Sequence, residues 1–397
     1  MQVVLIRGAS AYGALGVFTQ SLAEAFAQRG YSPVIVDVTA HDLEASLRAV
    51  AAQGSVALAF SFGLFGEHRT EDGLSVGDLA GAPHVVHYVD YPLSHALRLD
   101  RTPRSAALLV VDPTHVEAIE ATYGEDHFAS VGFCPHAAIG PVAPPSASAA
   151  AFAAERPVPI LFAGTFYPAE TPAWTRFAPP LPALFEAAFE MALAEDFMPA
   201  LDALRAAMRD RGLDPEAPEH RHLLRGATFV HEQVRARRRL QLLETAARMG
   251  LPLWAVGKGW AAELGRFPNL THGGEADLAG IVGLMRHSRV VLNVNANFGA
   301  GSHERVLTAM TAGAAAASDH SRFYVERFAP GTEILLYRWT ALEDGLDQVA
   351  RLAADPEAAW ALAEAGRARA AAEHQWEHRV DVILAAADAA RARSTAA

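Results

Sequence analysis

The chain has 397 residues, enough for two or three domains at roughly 150 residues each, and 51% of them are hydrophobic, which excludes a mainly disordered protein. Its formal net charge of −12 gives no broad attraction to nucleic acid or to anionic membranes, and no apolar run is long enough to span a bilayer. The single cysteine, Cys134, excludes an intrachain disulfide and a cysteine-based metal site, and the first apolar run is too short for a signal sequence, so we expect a cytoplasmic protein.

Apolar runs of strand length alternate with helical patterns in the first third of the chain. A helical pattern at 17–29, stopped by Gly30, separates the first two runs. Strands that alternate with helices predict a mostly parallel sheet covered on both faces. We therefore predict a doubly wound, Rossmann-like domain over residues 1–137, with strands at 1–6, 33–38, 55–60, 84–89, 107–111 and 130–134.

The loop after the first predicted strand contains Gly8, Gly13 and Gly16. Their spacing differs from the Gly-x-Gly-x-x-Gly of dinucleotide-binding folds, and Asp37 is the nearest acidic candidate for a ribose. Two interpretations stay open. The small residues can simply allow a tight turn from strand to helix, or the loop can face an acceptor.

A stretch rich in proline, serine and alanine at 138–157 has the composition of a linker. The alternating pattern then restarts, which predicts a second Rossmann-like domain over 158–375, with strands at 158–163, 252–256, 290–294, 314–318 and 333–337. The resulting fold class is α/β, with two doubly wound domains that face each other across a cleft. Ligands of such sheets bind beyond the carboxyl ends of the strands.

A helical insertion is expected at about 167–239, inside the second domain. Its apolar side chains require a partner, and the acceptor or a second subunit are the candidates: Leu184, Phe185, Phe189 and Leu193. A homo-oligomer is therefore one expectation. The last segment, 376–397, is predicted to be a helix that packs back on the first domain.

The segment 293–314 carries the strongest local signal. Asn293, Asn295 and Asn297 end a strand, a loop with Gly299 and Gly301 follows, and a helix begins near Ser302. Such a helix points backbone N–H groups and its positive dipole end at a ligand, which suits a diphosphate. Arg305 adds a permanent cation one turn into the helix. The alternative is a plain N-cap at Ser302 with a solvated Arg305.

Lys258 is the only lysine among 33 basic residues, and it lies in the sequence Gly-Lys-Gly-Trp at 257–260. A GC-rich genome explains an excess of arginine, while a retained lysine can mark a place where a compact ammonium is needed. Trp260 is either core packing or a platform on which a nucleobase stacks.

These segments together resemble GT-B glycosyltransferases. The group they resemble most is the one related to spore maturation protein CgeB, within the group 1 glycosyltransferases. The resemblance is good across 250–380, thinner across 1–137 and absent from the insertion. The segments that carry it are 88–92 (Tyr-Val-Asp-Tyr-Pro), 133–137 (Phe-Cys-Pro-His-Ala), 162–165 (Phe-Ala-Gly-Thr), 257–260, 302–313 (Ser-x-x-Arg and onward), 318–319 (Ser-Asp), 328–335 (Phe-Ala-Pro-Gly and onward), 363–373 and 376–380 (Trp-Glu-His-Arg-Val).

The resemblance implies transfer of a sugar from a nucleotide-sugar donor, a UDP- or GDP-sugar, to an unknown acceptor that is a glycan, a small molecule or a protein. No Asp-x-Asp motif is present, which agrees with metal independence, and no other cofactor is implied. The donor diphosphate would be held by cations, hydroxyls and loop amides: Gly164, Thr165, Lys258, Asn295, Gly301, Ser302, His303 and Arg305. Arg239 is a further candidate cation or an exposed helix residue.

An inverting reaction needs a base that takes the acceptor proton. Asp90, at the end of a predicted strand, is the first candidate, with a turn-capping carboxylate as its alternative. His136 lies at the domain junction and either faces the diphosphate or fills the hinge. Other histidines near Asp90 in sequence are His68, His87 and His95.

One position departs from the pattern of retaining GT-B enzymes, which carry two glutamates around this helix. Thr308 occupies the place of the second glutamate, the one that holds the donor ribose, and Ala300 falls near the first. This departure favours an alternative, a non-catalytic GT-B-fold protein used for binding or assembly. A nucleotide-sugar epimerase of the same architecture is the other alternative, although no obvious set of acid–base carboxylates is seen.

Overall fold

A computed structural model of the chain describes residues 1–10, 13–63, 65–166, 171–260, 264–295 and 297–396, with side chains to residue 393. The chain divides into two compact units. Unit 1 comprises Met1–Ala137 and Gln375–Ala397, and unit 2 comprises Ala138–His374. Two residues of the first glycine-containing loop, 11 and 12, and the start of the predicted insertion, 167–170, lie outside the described residues.

The strands are, in chain order, β1 (Gln2–Arg7), β2 (Ser32–Asp37), β3 (Val56–Phe62), β4 (His84–Tyr88), β5 (Ala107–Val110), β6 (Ser130–Phe133), β7 (Val158–Ala163), β8 (Leu253–Val256), β9 (Thr271–His272), β10 (Ser288–Asn293), β11 (Ala315–Asp319) and β12 (Leu335–Tyr337).

The α-helices are, in the same order, α1 (Ala14–Gln28), α2 (Leu43–Gln53), α3 (Val76–Ala80), α4 (Ala96–Leu99), α5 (Pro113–Tyr123), α6 (Ala149–Glu155), α7 (Leu181–Ala194), α8 (Ala200–Arg209), α9 (Arg221–Leu224), α10 (Ala227–Arg248), α11 (Leu278–Arg286), α12 (Glu304–Thr311), α13 (Arg322–Arg327), α14 (Leu342–Ala354), α15 (Pro356–Glu373) and α16 (Val380–Ala396). Short 3₁₀ turns lie at Pro92–His95, Ala173–Arg176, Pro218–His220, Trp339–Ala341 and Trp376–Arg379.

Unit 1 is built on a parallel sheet in the order β2-β1-β3-β4-β5-β6. The four central residues of β1 are all buried, as expected for a strand covered on both faces. On one face, apolar side chains of α2 and α3 pack against β1, β2 and β3. Helix α16, from the end of the chain, packs on β4, β5 and β6 of the same unit.

Unit 2 is built on a second parallel sheet, in the order β12-β11-β10-β7-β8-β9. The predicted fold class, two doubly wound parallel sheets with helices inserted in the second, is confirmed. Each predicted strand is present with shifts of one or two residues at its ends. One observed strand, β9, was not predicted, because its two residues are exposed and give no apolar pattern.

The predicted insertion is a helical layer, with α7, α8, α9 and α10 between β7 and β8. Its apolar side chains find partners within the layer itself. Phe185 is buried and its ring lies 5.9 Å from that of Phe229 on α10, and α7 packs along α8. These contacts bury Leu184 and Phe185 without an acceptor or a second subunit.

The segment predicted as a linker contains a helix and belongs to unit 2. Ser148 caps α6, and Phe152 is fully buried in the core of unit 2. The backbone N–H of Ser146 donates to Glu364 on α15 at 3.0 Å. Helix α6 is rich in alanine and lies in a proline-rich stretch, so its sequence shows no clear apolar period. The sequence pattern therefore did not predict it. In the described part of the chain, no helix is long and apolar enough to cross a membrane.

Strand β4 and the residue that follows β6 place polar side chains in the interior of unit 1. His87 is fully buried and its Nε2 lies 3.0 Å from the carbonyl oxygen of Cys134. Burial lowers the pKa of His87 to about 4, and it lowers that of His84 to about 3. Cys134 is itself fully buried, and burial raises the pKa of its thiol to about 12.

The chain makes a very close backbone approach where β7 and β8 end. Gly257 has φ +135°, and a Cβ built on it would lie 2.2 Å from the carbonyl oxygen of Gly164. The N–H of Gly164 donates to Val256 at 2.9 Å, and that of Gly257 to Gly274 at 2.9 Å. Glycine is therefore required at 257 both by conformation and by space.

Acid should destabilise unit 1 through His87. The pKa of this imidazole is lower in the folded protein than the ordinary value of 6.5, so the unfolded chain binds the proton first. Its contribution to stability is present above pH 6.5 and is lost between 6.5 and about 4, at roughly 1 kcal/mol per pH unit. Chemical denaturation at about pH 7.5, 6, 5 and 4.5 gives the free energy of unfolding on both sides of the transition and within it, and so measures this slope.

The variant His87→Gln should flatten the pH dependence by about this amount, and the exposed His41→Gln serves as the matched control. Equal slopes in the wild type and in His87→Gln would show that His87 does not act in this way.

The variant Gly257→Ala should lower the melting temperature of unit 2 by about 5–10 °C, because the new methyl group meets the backbone of Gly164. Gly250→Ala is the control: Gly250 also has a positive φ, +72°, but nothing lies within 4 Å of its built Cβ. We expect about 2–4 °C for the control, by differential scanning calorimetry. Similar losses in both variants would contradict the close approach.

Candidate functional site

The strand order of unit 2 reverses between β7 and β10. From β7 the chain proceeds outward through β8 and β9, and it then returns to place β10 on the other side of β7 and continues outward through β11 and β12. In parallel α/β sheets, ligands bind beyond the carboxyl ends of the strands at such a reversal. In unit 2 this place is formed by Gly164, directly after β7, and by residues 294, 295 and 297–303 between β10 and α12. We call residues 294, 295 and 297–303 the β10 loop.

Arg305 lies across the reversal from Gly164. A Cβ built on Gly164 would be 3.7 Å from Nη2 of Arg305, so the guanidinium lies against the backbone at the end of β7. Its Nη1 donates to Oδ1 of Asn293 at 2.8 Å. Burial lowers the pKa of Arg305, and a guanidinium remains charged in proteins all the same. A partly desolvated cation is thus fixed where the two central strands end.

Helix α12 begins just behind this cation. His303 is its N-cap, and its Nδ1 accepts a hydrogen bond from the N–H of Arg305 at 3.3 Å. The alternative of a plain N-cap at Ser302 is therefore wrong, since the cap is the next residue. Burial lowers the pKa of His303, whereas the Glu304 carboxylate, 2.6 Å from Nδ1, acts in the opposite direction. The first N–H groups of α12 add a positive partial charge beside Arg305.

Two buried polar groups of the β10 loop have no hydrogen-bond partner within the described residues. The Ser302 side chain is fully buried with its Oγ unpaired, and Nδ2 of Asn297 is likewise unpaired. Asn297 also has φ +68°, in the left-handed region. Unsatisfied buried groups cost about 1–3 kcal/mol each and, with a strained residue, are typical of ligand sites. A polar ligand could satisfy both groups.

Asp319, at the end of β11, fixes the β10 loop through hydrogen bonds. Its Oδ1 accepts from the N–H of Asn295 at 2.6 Å, and its Oδ2 accepts from Nε1 of Trp339 at 3.0 Å. Burial raises the pKa of this carboxyl group, and the hydrogen bonds act in the opposite direction. The hydroxyl of Tyr324 donates to Oδ1 of Asn295 at 2.9 Å and accepts from the N–H of His303 at 3.0 Å.

Two of the three asparagines of this segment, Asn293 and Asn295, are therefore parts of the scaffold. Asn295 is 1% exposed, and its Nδ2 donates to the carbonyl oxygens of Phe298 and Gly301. Asn293 donates to Oγ of Ser318 at 3.0 Å. All the polar side-chain atoms of Asn295 are engaged, so it determines the shape of the loop. The carbonyl oxygen of Gly301 also accepts from Ser321 at 2.5 Å.

The loop after β8 carries the lone lysine. Lys258 is exposed, and its carbonyl oxygen accepts from the N–H of Phe166 at 2.8 Å. Trp260 is fully buried against Phe166, with ring centroids 4.8 Å apart, and its Nε1 donates to Gly164 at 2.5 Å. Trp260 is thus core packing, which leaves no face for a nucleobase.

Two neighbouring arginines of α10 reach the same region. Arg239 is 5% exposed, and its Nη1 donates to the carbonyl oxygen of Thr165 at 2.8 Å, so the alternative of an exposed helix residue is wrong. Arg238 was not identified from sequence, yet its Nη1 donates to Asn297 in the β10 loop at 3.0 Å. The helical period places both arginines with Val234 and Leu242 on the buried face, and this signal was available.

The residues predicted for acid–base chemistry lie in unit 1. Asp90 is exposed just after β4. His136 is 2% exposed, its ring packs near Phe18, and its carbonyl oxygen accepts from Arg379 at 2.9 Å. His136 is therefore held within the packing of unit 1.

The other candidates in unit 1 are also engaged. His68 lies 3.5 Å from Glu44. His95 precedes α4, and its ring packs near Tyr88. Asp37 ends the edge strand β2 beside Arg7 of β1, and it accepts from Arg7 and Thr39. These hydrogen bonds, Thr39 first, lower the pKa of Asp37 to about 2. Among the described residues of the whole chain, no group of three or more His, Cys, Asp or Glu side chains is placed to hold a metal ion.

Residues 235–385 match the sequence model of a family described as glycosyl transferase-like. This region contains α10 from Arg235 onward, β8, the β10 loop and α12, which together form most of the site described above. Comparison with curated proteins gives no match.

Three solved structures share this fold. HepE (Alr3699) of Anabaena, solved with UDP and glucose, has a TM-score of 0.52 at 12% identity, over 96% of this chain and 98% of that one. Sucrose-phosphate synthase of Thermosynechococcus elongatus has a TM-score of 0.53 at 15% identity over 100% of both chains. An alpha-glucosyltransferase solved with UDP and DNA has a TM-score of 0.50 at 10% identity, over 96% of this chain and 99% of that one.

At these identities the structural likeness establishes the fold, and the family match places glycosyltransferase-like sequence in the part that forms the site. The closer kinship with the CgeB group stays a prediction. The predicted resemblance to the GT-B glycosyltransferases is confirmed by the fold and by the glycosyl transferase-like match over residues 235–385.

Proposed function

We propose that the protein transfers a glycosyl group from a UDP-sugar to an acceptor without a metal ion, with the donor held in unit 2. The observation that carries this proposal is the guanidinium of Arg305. It lies against the backbone of Gly164 at the reversal of the sheet, directly beside the start of α12. Both features favour an anion, and they converge on one place.

The proposed chemistry is stabilisation of the leaving diphosphate. As the bond between the sugar and the β-phosphate breaks, negative charge grows on the phosphate oxygens. Arg305, the positive end of the α12 dipole and the hydroxyl of Ser302 are fixed before the reaction, so they stabilise this charge without reorganising. Lys258 is exposed at the end of the neighbouring strand and is proposed as a second cation.

The base of the donor is proposed from the likeness in fold. HepE was solved with UDP-glucose, and the alpha-glucosyltransferase was solved with UDP. UDP is therefore the first probe, and GDP is the second. The acceptor, a glycan, a small molecule or a protein, is left open.

Asp90 and His136 are proposed as the groups that accept the acceptor proton. Asp90 is the better candidate of the two, since it is exposed beyond the carboxyl end of β4 while His136 is buried within unit 1. A carboxylate within reach of the acceptor hydroxyl typically contributes about 10²–10⁴-fold to the rate.

A non-catalytic binding protein is the second candidate, and Thr308 is the observation that favours it. Thr308 is 1% exposed on α12, and its Oγ1 accepts from the N–H of Ile139 at 3.1 Å. The position that carries the ribose-binding glutamate in the related enzymes is thus occupied by a small side chain that binds the backbone of its own unit. A protein of this kind would bind UDP and leave UDP-sugars intact.

The variant Arg305→Gln should weaken UDP binding about tenfold to a hundredfold, because it removes a charge-assisted contact to the diphosphate. Isothermal titration calorimetry measures the dissociation constant. The control is Arg351→Gln, whose side chain is 77% exposed on α14. Equal affinities in wild type and Arg305→Gln would place the diphosphate elsewhere, and loss of wild-type binding on addition of EDTA would refute metal independence.

The variant Asp90→Asn should slow the release of UDP from UDP-glucose, with water or added acceptors, by at least about tenfold. The affinity for UDP should stay unchanged, because Asp90 lies in unit 1, outside the proposed diphosphate site. Asp72→Asn, also exposed in unit 1, is the control. Wild-type release rates in Asp90→Asn would exclude this carboxylate as the base. Binding of UDP with no turnover in the wild type would favour the non-catalytic candidate.

A further inference from the structure

The helical insertion of unit 2 contacts the β10 loop, and one of these contacts is made by a buried arginine, Arg238 on α10. We propose that Arg238 is a positioning residue: it holds the β10 loop in the shape that binds the donor diphosphate, and so makes the insertion part of the donor site. This inference rests on the proposed function. It assigns a role to the insertion, for which the sequence offered only the acceptor or a second subunit.

Arg238 joins two separate pieces of chain. Its Nη1 donates to Oδ1 of Asn297 at 3.0 Å. Its Nη2 donates to the carbonyl oxygens of Glu195, at 2.8 Å, and of Ala192, at 3.2 Å, where α7 ends. Carbonyl groups at a helix end have no partner within the helix, so a cation there satisfies them. The guanidinium is a rigid fork, and it therefore fixes the distance between the end of α7 and Asn297.

Asn297 is a residue that needs such support. Its φ of +68° is a conformation that residues other than glycine adopt at a cost. Asn297 is 5% exposed, so its Oδ1 requires a partner, and Arg238 provides one. Its Nδ2 stays unpaired within the described residues and is the group that this positioning would present to a ligand.

Two further contacts connect the same two regions. A Cβ built on Gly299 would lie 1.8 Å from the ring of Phe197, so the segment after α7 packs directly on the backbone of the β10 loop. The ring of His231 on α10 stacks on that of Phe298, with centroids 6.1 Å apart and planes at 25°. Three successive parts of the β10 loop, at 297, 298 and 299, therefore contact the insertion.

The environment of Arg238 argues for positioning over simple packing. The side chain is 2% exposed, and burial lowers its pKa, so the fold bears the cost of desolvating a cation. Its hydrogen-bond acceptors are uncharged amide oxygens, and its guanidinium lies 5.3 Å from the ring centre of Trp339. An apolar side chain would fill the same space without this cost. What the arginine provides is the fixed geometry, together with a positive charge that partly offsets the buried carboxylate of Asp319.

The variant Arg238→Met tests the proposal through the affinity for UDP, measured by calorimetry at a temperature where near-UV circular dichroism shows the variant folded. We expect binding about tenfold to a hundredfold weaker than in the wild type. Arg238→Lys should recover part of the affinity, because an ammonium keeps the charge without the fork. Arg237→Met is the matched control, since Arg237 is the neighbouring residue with a side chain 45% exposed.

A second variant, Asn297→Gly, keeps the left-handed conformation and removes the acceptor of Arg238. It should weaken UDP binding by itself, and it provides the test if Arg238→Met fails to fold. In the Asn297→Gly background, Arg238→Met should cause almost no further loss, because both changes break one connection. Independent, multiplying losses would overturn the proposal.

The outcomes separate this inference from the proposed function. If the wild type binds UDP and Arg238→Met binds it equally well, Arg238 is only structural, and the donor site stands without it. If Arg238→Met lowers the melting temperature and leaves the affinity unchanged, the conclusion is the same. If the wild type binds neither UDP nor GDP, the donor site fails and this inference is overturned with it.

Discussion

The buried carboxylate of Asp319 is the constraint on which the functional end of unit 2 depends. It receives the N–H of Asn295 and the indole N–H of Trp339, so it connects the ends of β10, β11 and β12. Burying a carboxylate is costly, and these donors offset the cost. Because Asn295 is fixed by Asp319, its amide can in turn fix Phe298 and Gly301, and the β10 loop gains its shape from hydrogen bonds rather than from a packed apolar core.

The site is built mainly from backbone, and this explains its composition. A side chain on Gly257 would clash with the backbone of Gly164, and Arg305 lies against the end of β7. The start of α12 brings N–H groups to the same place. A backbone site of this kind is set by the fold itself. In the proposed function it would recognise the charge and size of a diphosphate, and other parts would recognise the sugar and the acceptor.

The sequence predicted the sheets well and the site only in outline. Strands are buried runs of apolar residues, so eleven of the twelve were visible, and the exposed β9 was not. The β10 loop, Arg305 and the start of α12 are adjacent in sequence and were identified together. The roles of Arg238 and Asp319 were not, because each depends on contacts with segments distant in sequence, 59 residues away for Arg238 and Asn297. Likewise, Asn295 is a natural ligand residue by type, and only its buried hydrogen bonds show that it supports the loop.

The position of Cys134 has a practical consequence. A thiol reacts with alkylating reagents as the exposed thiolate, and this one is fully buried with a pKa raised to about 12. It is the only cysteine of the chain and belongs to unit 1. The natural protein thus carries an internal reporter. The rate at which a thiol reagent modifies Cys134 measures how often unit 1 opens, with no engineered label and no signal from unit 2.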